Sequence, residues 1–120
     1  MKIQSISYPT PLSQIVDIEN DNIDIFVELQ DGMTYTLVVS TPKNQLWYMD
    51  KEGLDYIPPH PPDIIVRSLT EENIWKAVES FATGNAYWLK LYYLSGSREA
   101  AFDITRLDQM IEMIKIDNED

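Results

Sequence analysis

Residues 22 to 41 constrain the fold most, because they alternate twice around a turn dipeptide. Asn22 to Gln30 puts Ile23, Ile25, Val27 and Leu29 on one face, with Asp24, Glu28 and Gln30 on the other alongside Phe26. Successive strand side chains point to opposite sides, so this segment buries one side only. Asp31-Gly32 follows, a pair suited to a type I′ turn because both central residues need positive φ. Met33 to Thr41 then sets Met33, Tyr35, Leu37 and Val39 against Thr34, Thr36, Val38 and Ser40. These β-branched and aromatic residues favour strand. The result is an antiparallel hairpin whose apolar face other elements must cover.

Pro42 cannot continue a central strand but suits the first position of a helix. Thr41 is then its N-cap, Lys43 to Glu52 the helix and Gly53 its end. Pro58, Pro59, Pro61 and Pro62 around His60 force an extended loop. Asp63 to Ser68 carries Ile64, Ile65 and Val66, a short buried strand. Ser68 with Glu71 fits a capping box, and Thr70 is the alternative cap. The helix that follows repeats Ile74, Val78, Phe81 and Ala82 at helical spacing and stops at Gly84. Ala86 to Leu94 is apolar on both faces and is expected as a central strand. Ser95-Gly96-Ser97 turns the chain, Arg98 to Asp103 pairs back as a short strand, and Thr105 to Lys115 closes as a helix. The stripe of that last helix is Leu107, Met110, Ile111 and Ile114, and residues 117–120 fray. Lys2 to Tyr8 alternates imperfectly. The expected fold is a single α+β domain over residues 1–120: a mixed, mostly antiparallel sheet with an N-terminal hairpin and two or three helices packed mainly on one face.

Charge narrows the function classes. The chain has 20 acidic and 9 basic residues, a formal net charge of -11. Such a balance repels nucleic acid and anionic lipid and attracts basic proteins or cations. The basic residues form no cluster to neutralise phosphates. The chain has no cysteine, which excludes disulfides, thiolate sites and a cysteine nucleophile and fits a reducing compartment. No apolar run approaches the ~20 residues needed to span a bilayer, and Met1 to Ser5 lacks a signal-type apolar region. A cytoplasmic protein without membrane or nucleic-acid partners is expected.

Asp17, Glu19, Asp21 and Glu28 stand at positions one, three, five and twelve of a calcium-loop frame. Against a cation site, Asn22 occupies the position that needs glycine, no helix precedes the loop, and the exit segment alternates as a strand. The competing reading is a solvated acidic loop leading into a strand. His60, the only histidine, needs an orienting partner to act as a base, and a rigid exposed loop is the simpler account. No G-x-S-x-G or P-loop frame is present. The sequence therefore points to no enzyme and no cofactor. Trp47-Tyr48 on the first helix, and Trp88 and Tyr92 around Lys90 on one strand face, are the aromatics best placed to remain partly exposed. An aromatic patch inside an acidic surround has the anatomy of a protein-binding hot spot.

Thr41-Pro42-Lys43-Asn44, Ser68-Leu69-Thr70-Glu71-Glu72 and Tyr87-Trp88-Leu89-Lys90-Leu91, in that order, resemble a family of small, uncharacterised bacterial single-domain proteins. The resemblance spans about residues 22 to 95 and implies a bacterial origin and a compact α+β fold. It carries no activity and no site. The residues themselves favour an acidic interaction module that masks or regulates a basic protein partner. Asp17, Glu19, Asp21, Asp24, Trp47, Trp88 and Tyr92 would form its surface. Immunity proteins against nuclease toxins are similar in size and acidity. The alternatives are a small-ligand or divalent-cation-binding protein, and a self-associating homodimer paired through Met33 to Thr41.

Overall fold

The computed structural model describes residues 1–97 and 103–119. Its element order is β1 (Ile3–Ser7), a single 3-10 turn (Leu12–Gln14), β2 (Asn22–Leu29), β3 (Thr34–Ser40), α1 (Pro42–Glu52), β4 (Ile64–Ile65), α2 (Glu71–Phe81), α3 (Tyr87–Ser97) and α4 (Ile104–Glu119). The sheet order is β1-β2-β3-β4. Its first three strands are antiparallel, and β4 lies parallel to β3. The α+β architecture with an N-terminal hairpin is as the sequence predicts, with four helices rather than two or three.

The hairpin's inward residues build the core. Ile25, Val27, Leu29 and Val39 are fully buried, and Ile23, Tyr35 and Leu37 nearly so. Ile74 and Val78 of α2 and Leu89 of α3 close over them. Each large apolar side chain removed from water this way contributes roughly 1.5–3 kcal/mol. The turn is not type I′. Gly32 has φ 84° while Asp31 stays at negative φ. The Gly32 amide donates to the Leu29 carbonyl at 3.0 Å and the Leu29 amide to the Met33 carbonyl at 3.2 Å. That is the three-residue loop with a left-handed glycine. Asp31 serves it differently, accepting from the Met33 amide at 3.0 Å and from the Tyr35 hydroxyl.

The weak alternation of β1 has a structural cause. Ile3 pairs with Leu29 and Ile6 with Val27, and the register shifts between Ile3 and Ser5. A bulge adds one residue, so two isoleucines three apart turn toward the same face.

Thr41 caps α1, Pro42 opens it, and Gly53 ends it at φ 68°. For α2 the cap is Thr70, whose hydroxyl accepts from the Asn73 amide, rather than Ser68. Ser68 instead accepts from the Asn73 side chain.

The largest correction concerns Ala86 to Leu94, which forms α3 instead of a central strand. Only Ala86 and Leu89 of that run are fully buried, while Tyr87, Trp88 and Leu94 are exposed. The apolar residues surround the helix, so no polar face marked its period. Ala86 opens it at φ 62°. Of the strand expected over Arg98 to Asp103, residues 98–102 lie outside the described residues, and Asp103 leads into α4. The last helix runs from Ile104 through Asp117 and Asn118 to Glu119. β3 is paired with β2 along its length and with β4 at Val39 and Ser40. On that second edge of the dimer route through Met33 to Thr41, Thr34 to Val38 have no strand partner among the described residues.

Candidate functional site

Helices lie on both faces of the sheet. α2 and α3 cover the inward face. α1 follows β3 and meets the other one, where Asn22, Asp24, Phe26, Thr36 and Val38 point outward. Gln45 Nε2 donates to Ser40 Oγ at 2.8 Å, tying the helix to the sheet. Beyond α1 the proline-rich loop returns across this face toward β4. Between them lies an open cleft of about 340 Å³. Asn22 and Val38 form its floor, Asn44, Gln45 and Tyr48 one wall, and Ile57 to His60 with Asp63 the other.

The hydrogen bonds of the cleft run in one direction. Asn44 Nδ2 donates to Asn20 Oδ1 at 3.2 Å, and Asn22 Nδ2 donates to Asn44 Oδ1 at 3.1 Å. This chain uses one N–H of each amide and leaves Asn22 Oδ1 without a partner among the described residues. Gln45 Oε1 is in the same position. His60 Nδ1 lies 2.6 Å from the Pro61 carbonyl, so that nitrogen carries the proton and Nε2 of the neutral ring is the acceptor. The Tyr48 hydroxyl and the Asp63 carboxylate complete the set. Among the described residues no lysine or arginine lines the cleft. It offers acceptors and one negative charge beside the apolar side chains of Val38, Ile57, Pro58 and Pro59.

The acidic loop stands beside this cleft. Thr41 Oγ1 donates to the Glu19 carbonyl at 2.6 Å, and the Leu69 amide donates to the Ile18 carbonyl at 2.7 Å. Asp17 accepts from the Glu19 amide and pairs loosely with Lys43 at 3.7 Å. Asp21 accepts from the Asn22 amide at 2.7 Å. The first turn of α1 contains no acidic residue. Asp17, Glu19 and Asp21 therefore also supply negative charge near its positive end. Asp24 sits next to them on the open face, opposite Val38.

Glu28 does not join this group. It lies six residues further along β2 than Asn22, about 20 Å away at strand rise, and pairs with Thr34 by the hairpin. The straight strand holds the twelfth position of the calcium-loop frame far from the first. Among the described residues no three His, Cys, Asp or Glu side chains converge on a common point.

The aromatic candidates separate as well. Trp47 is exposed on α1, with Lys51 Nζ 5.1 Å from its ring centre. Trp88 and Tyr92 lie across the sheet on α3. They line a shallow hollow of about 300 Å³ with Ser80 and Phe81, and Tyr92 meets Phe81 edge to face at 4.8 Å. The candidate surface is thus two surfaces: the acidic loop, Asp24 and Trp47 around the cleft, and Trp88 with Tyr92 behind it.

Sequence reasoning missed Asn22, Asn44, Gln45 and Asp63, and placed Tyr48 only among the partly exposed aromatics. Their one visible signal was a run of amides at the start of a capped helix. Asn44 is almost fully buried, and a buried amide requires partners. Comparison with protein-family models, curated proteins and solved structures finds no match for the chain.

Proposed function

We propose that this protein is an acidic interaction module that binds a basic protein partner, with the α1 cleft receiving an arginine or lysine side chain. The observation that carries this reading is the one-sided chemistry of the cleft. Asn22 Oδ1, Gln45 Oε1, the Tyr48 hydroxyl, His60 Nε2 and Asp63 can accept, and among the described residues no lysine or arginine lines the cleft to compete for them. Five N–H donors in a planar fork match such a set, and the apolar side chains beside it suit the methylene stem. Asp17, Glu19, Asp21 and Asp24 beside the cleft would draw a basic surface in from a distance. Immunity proteins against nuclease toxins are similar in size and acidity, which is compatible with that narrower role.

The test is titration of the full chain with an arginine-containing peptide, followed by amide chemical shifts. Shifts at Asn22, Gln45, Tyr48 and Asp63 are expected, weakened by salt and by Asp63→Asn. An isosteric peptide with citrulline in place of arginine should not bind. Equal binding of the two peptides, or shifts confined to other surfaces, would refute the reading. A cleft of about 340 Å³ also falls in the size range of small-molecule sites. A small-ligand role would show as thermal stabilisation by a neutral compound at this site.

A further inference from the structure

α4 is the one described strand or α-helix without a buried residue. Every position from Asp103 to Asn118 is exposed. Ile104, Leu107, Met110, Ile111 and Ile114 expose between 38% and 67% of their surface. The molecule is correspondingly elongated, with a radius of gyration of 17.1 Å against about 14 Å for a compact chain of this length. Isolated helices of about this length are marginal in water. A helix that exposes an entire apolar stripe therefore needs a partner.

The stripe has a period of its own. Ile104, Leu107, Ile111 and Ile114 are spaced three, four and three apart, the a and d positions of a coiled-coil seam. We propose that α4 packs antiparallel against α4 of a second copy of this chain. In that arrangement Ile104 meets Ile114 of the other copy and Leu107 meets Ile111, giving four layers about a two-fold axis. Met110 meets its own counterpart. Asp108 and Lys115 both occupy the e position, on the same side of the seam. Helical side chains lean toward their own N-terminus, so Asp108 of each copy converges on Lys115 of the other. A parallel pair would instead bring Asp103 against Asp108. The charge pattern therefore selects the antiparallel arrangement. The seam is a strip only about 24 Å by 10 Å, well below the ~1,200–2,000 Å² of stable interfaces. The dimer is thus reversible.

Sedimentation of the full chain from micromolar to millimolar concentration tests this. A reversible monomer–dimer equilibrium is expected. Asp108→Lys should weaken it about tenfold, since two attractions become two repulsions. Asp108→Lys with Lys115→Asp should restore it. Leu107→Asp with Ile111→Asp should give a monomer with an unchanged folded body by near-ultraviolet circular dichroism. A chain that stays monomeric throughout overturns the proposal. So does a dimer indifferent to Asp108→Lys, or one the paired exchange fails to restore. Hydrogen exchange at Leu107 and Ile111 would then show whether α4 is covered by its own α2–α3 hollow. The cleft plays no part in this dimer, so Asp63→Asn leaves the outcome unchanged.

Discussion

The Thr41 side chain joins two distant parts of the molecule. Its hydroxyl caps α1 by accepting from the Asn44 amide and anchors the acidic loop by donating to the Glu19 carbonyl. Thr41→Ala should lower unfolding stability by about 2 kcal/mol, the sum of a lost cap and an unpartnered carbonyl. Thr41→Ser should recover most of it in urea denaturation. Tyr35 makes a second prediction. Burial, then the hydrogen bond to Asp31, pushes its hydroxyl up to about 12 from 10.0. The same bond holds the Asp31 carboxyl below its usual range. Protonated Tyr35 is the form the fold prefers, so its contribution is complete below pH 10 and is lost as pH rises through about 12. Asp31 acts in the opposite sense: its contribution holds above its unfolded pKa and fades as pH falls through the lowered folded value. Ultraviolet titration of the tyrosines should show a late phase that Tyr35→Phe removes.

At the scale of elements, α3 supplies the sharpest test, because a helix and a strand bury different residues. A strand over Ala86 to Leu94 would put Trp88 and Leu89 on opposite faces of a central sheet, both covered. The helix buries Leu89 completely and leaves Trp88 57% exposed. Leu89→Ala should therefore cost about 2–5 kcal/mol, and Trp88→Ala less than about 1 kcal/mol. Equal costs in chemical denaturation would contradict the helix. The elements legible in the sequence were those with one covered side. β2, β3, α1 and α2 have a clear period or clear end signals. α3 has neither, because it borders the core on one side and carries Tyr87, Trp88 and Leu94 outward on the other.

The whole molecule is dominated by its uncompensated charge. The described residues hold only two ion pairs, Lys43–Asp17 and Lys76–Glu72, both exposed. Such pairs contribute little, so repulsion among the remaining carboxylates opposes the compact state. Added sodium chloride should raise the melting temperature by screening it. The same salt should weaken the binding of a basic partner. Opposite responses of stability and binding, measured on one preparation, would tie the charge to recognition. A melting temperature that falls with salt would mean that the surface charges are arranged favourably after all.

What the sequence determined by itself was local. Alternation around Asp31-Gly32 dictated the hairpin, and Thr41-Pro42 and Gly53 dictated both ends of α1. Those signals act over a few residues through backbone conformation and one-sided burial. What tertiary structure decided was every relation between distant segments. It placed Asn22, Asn44 and Asp63 around one cleft although they are far apart in the chain. It carried Glu28 away from Asp17 along a straight strand and set Trp88 behind the sheet from Trp47. It also made α3 a helix, because packing over β3, rather than the propensity of an apolar run, determined which of its residues leave water.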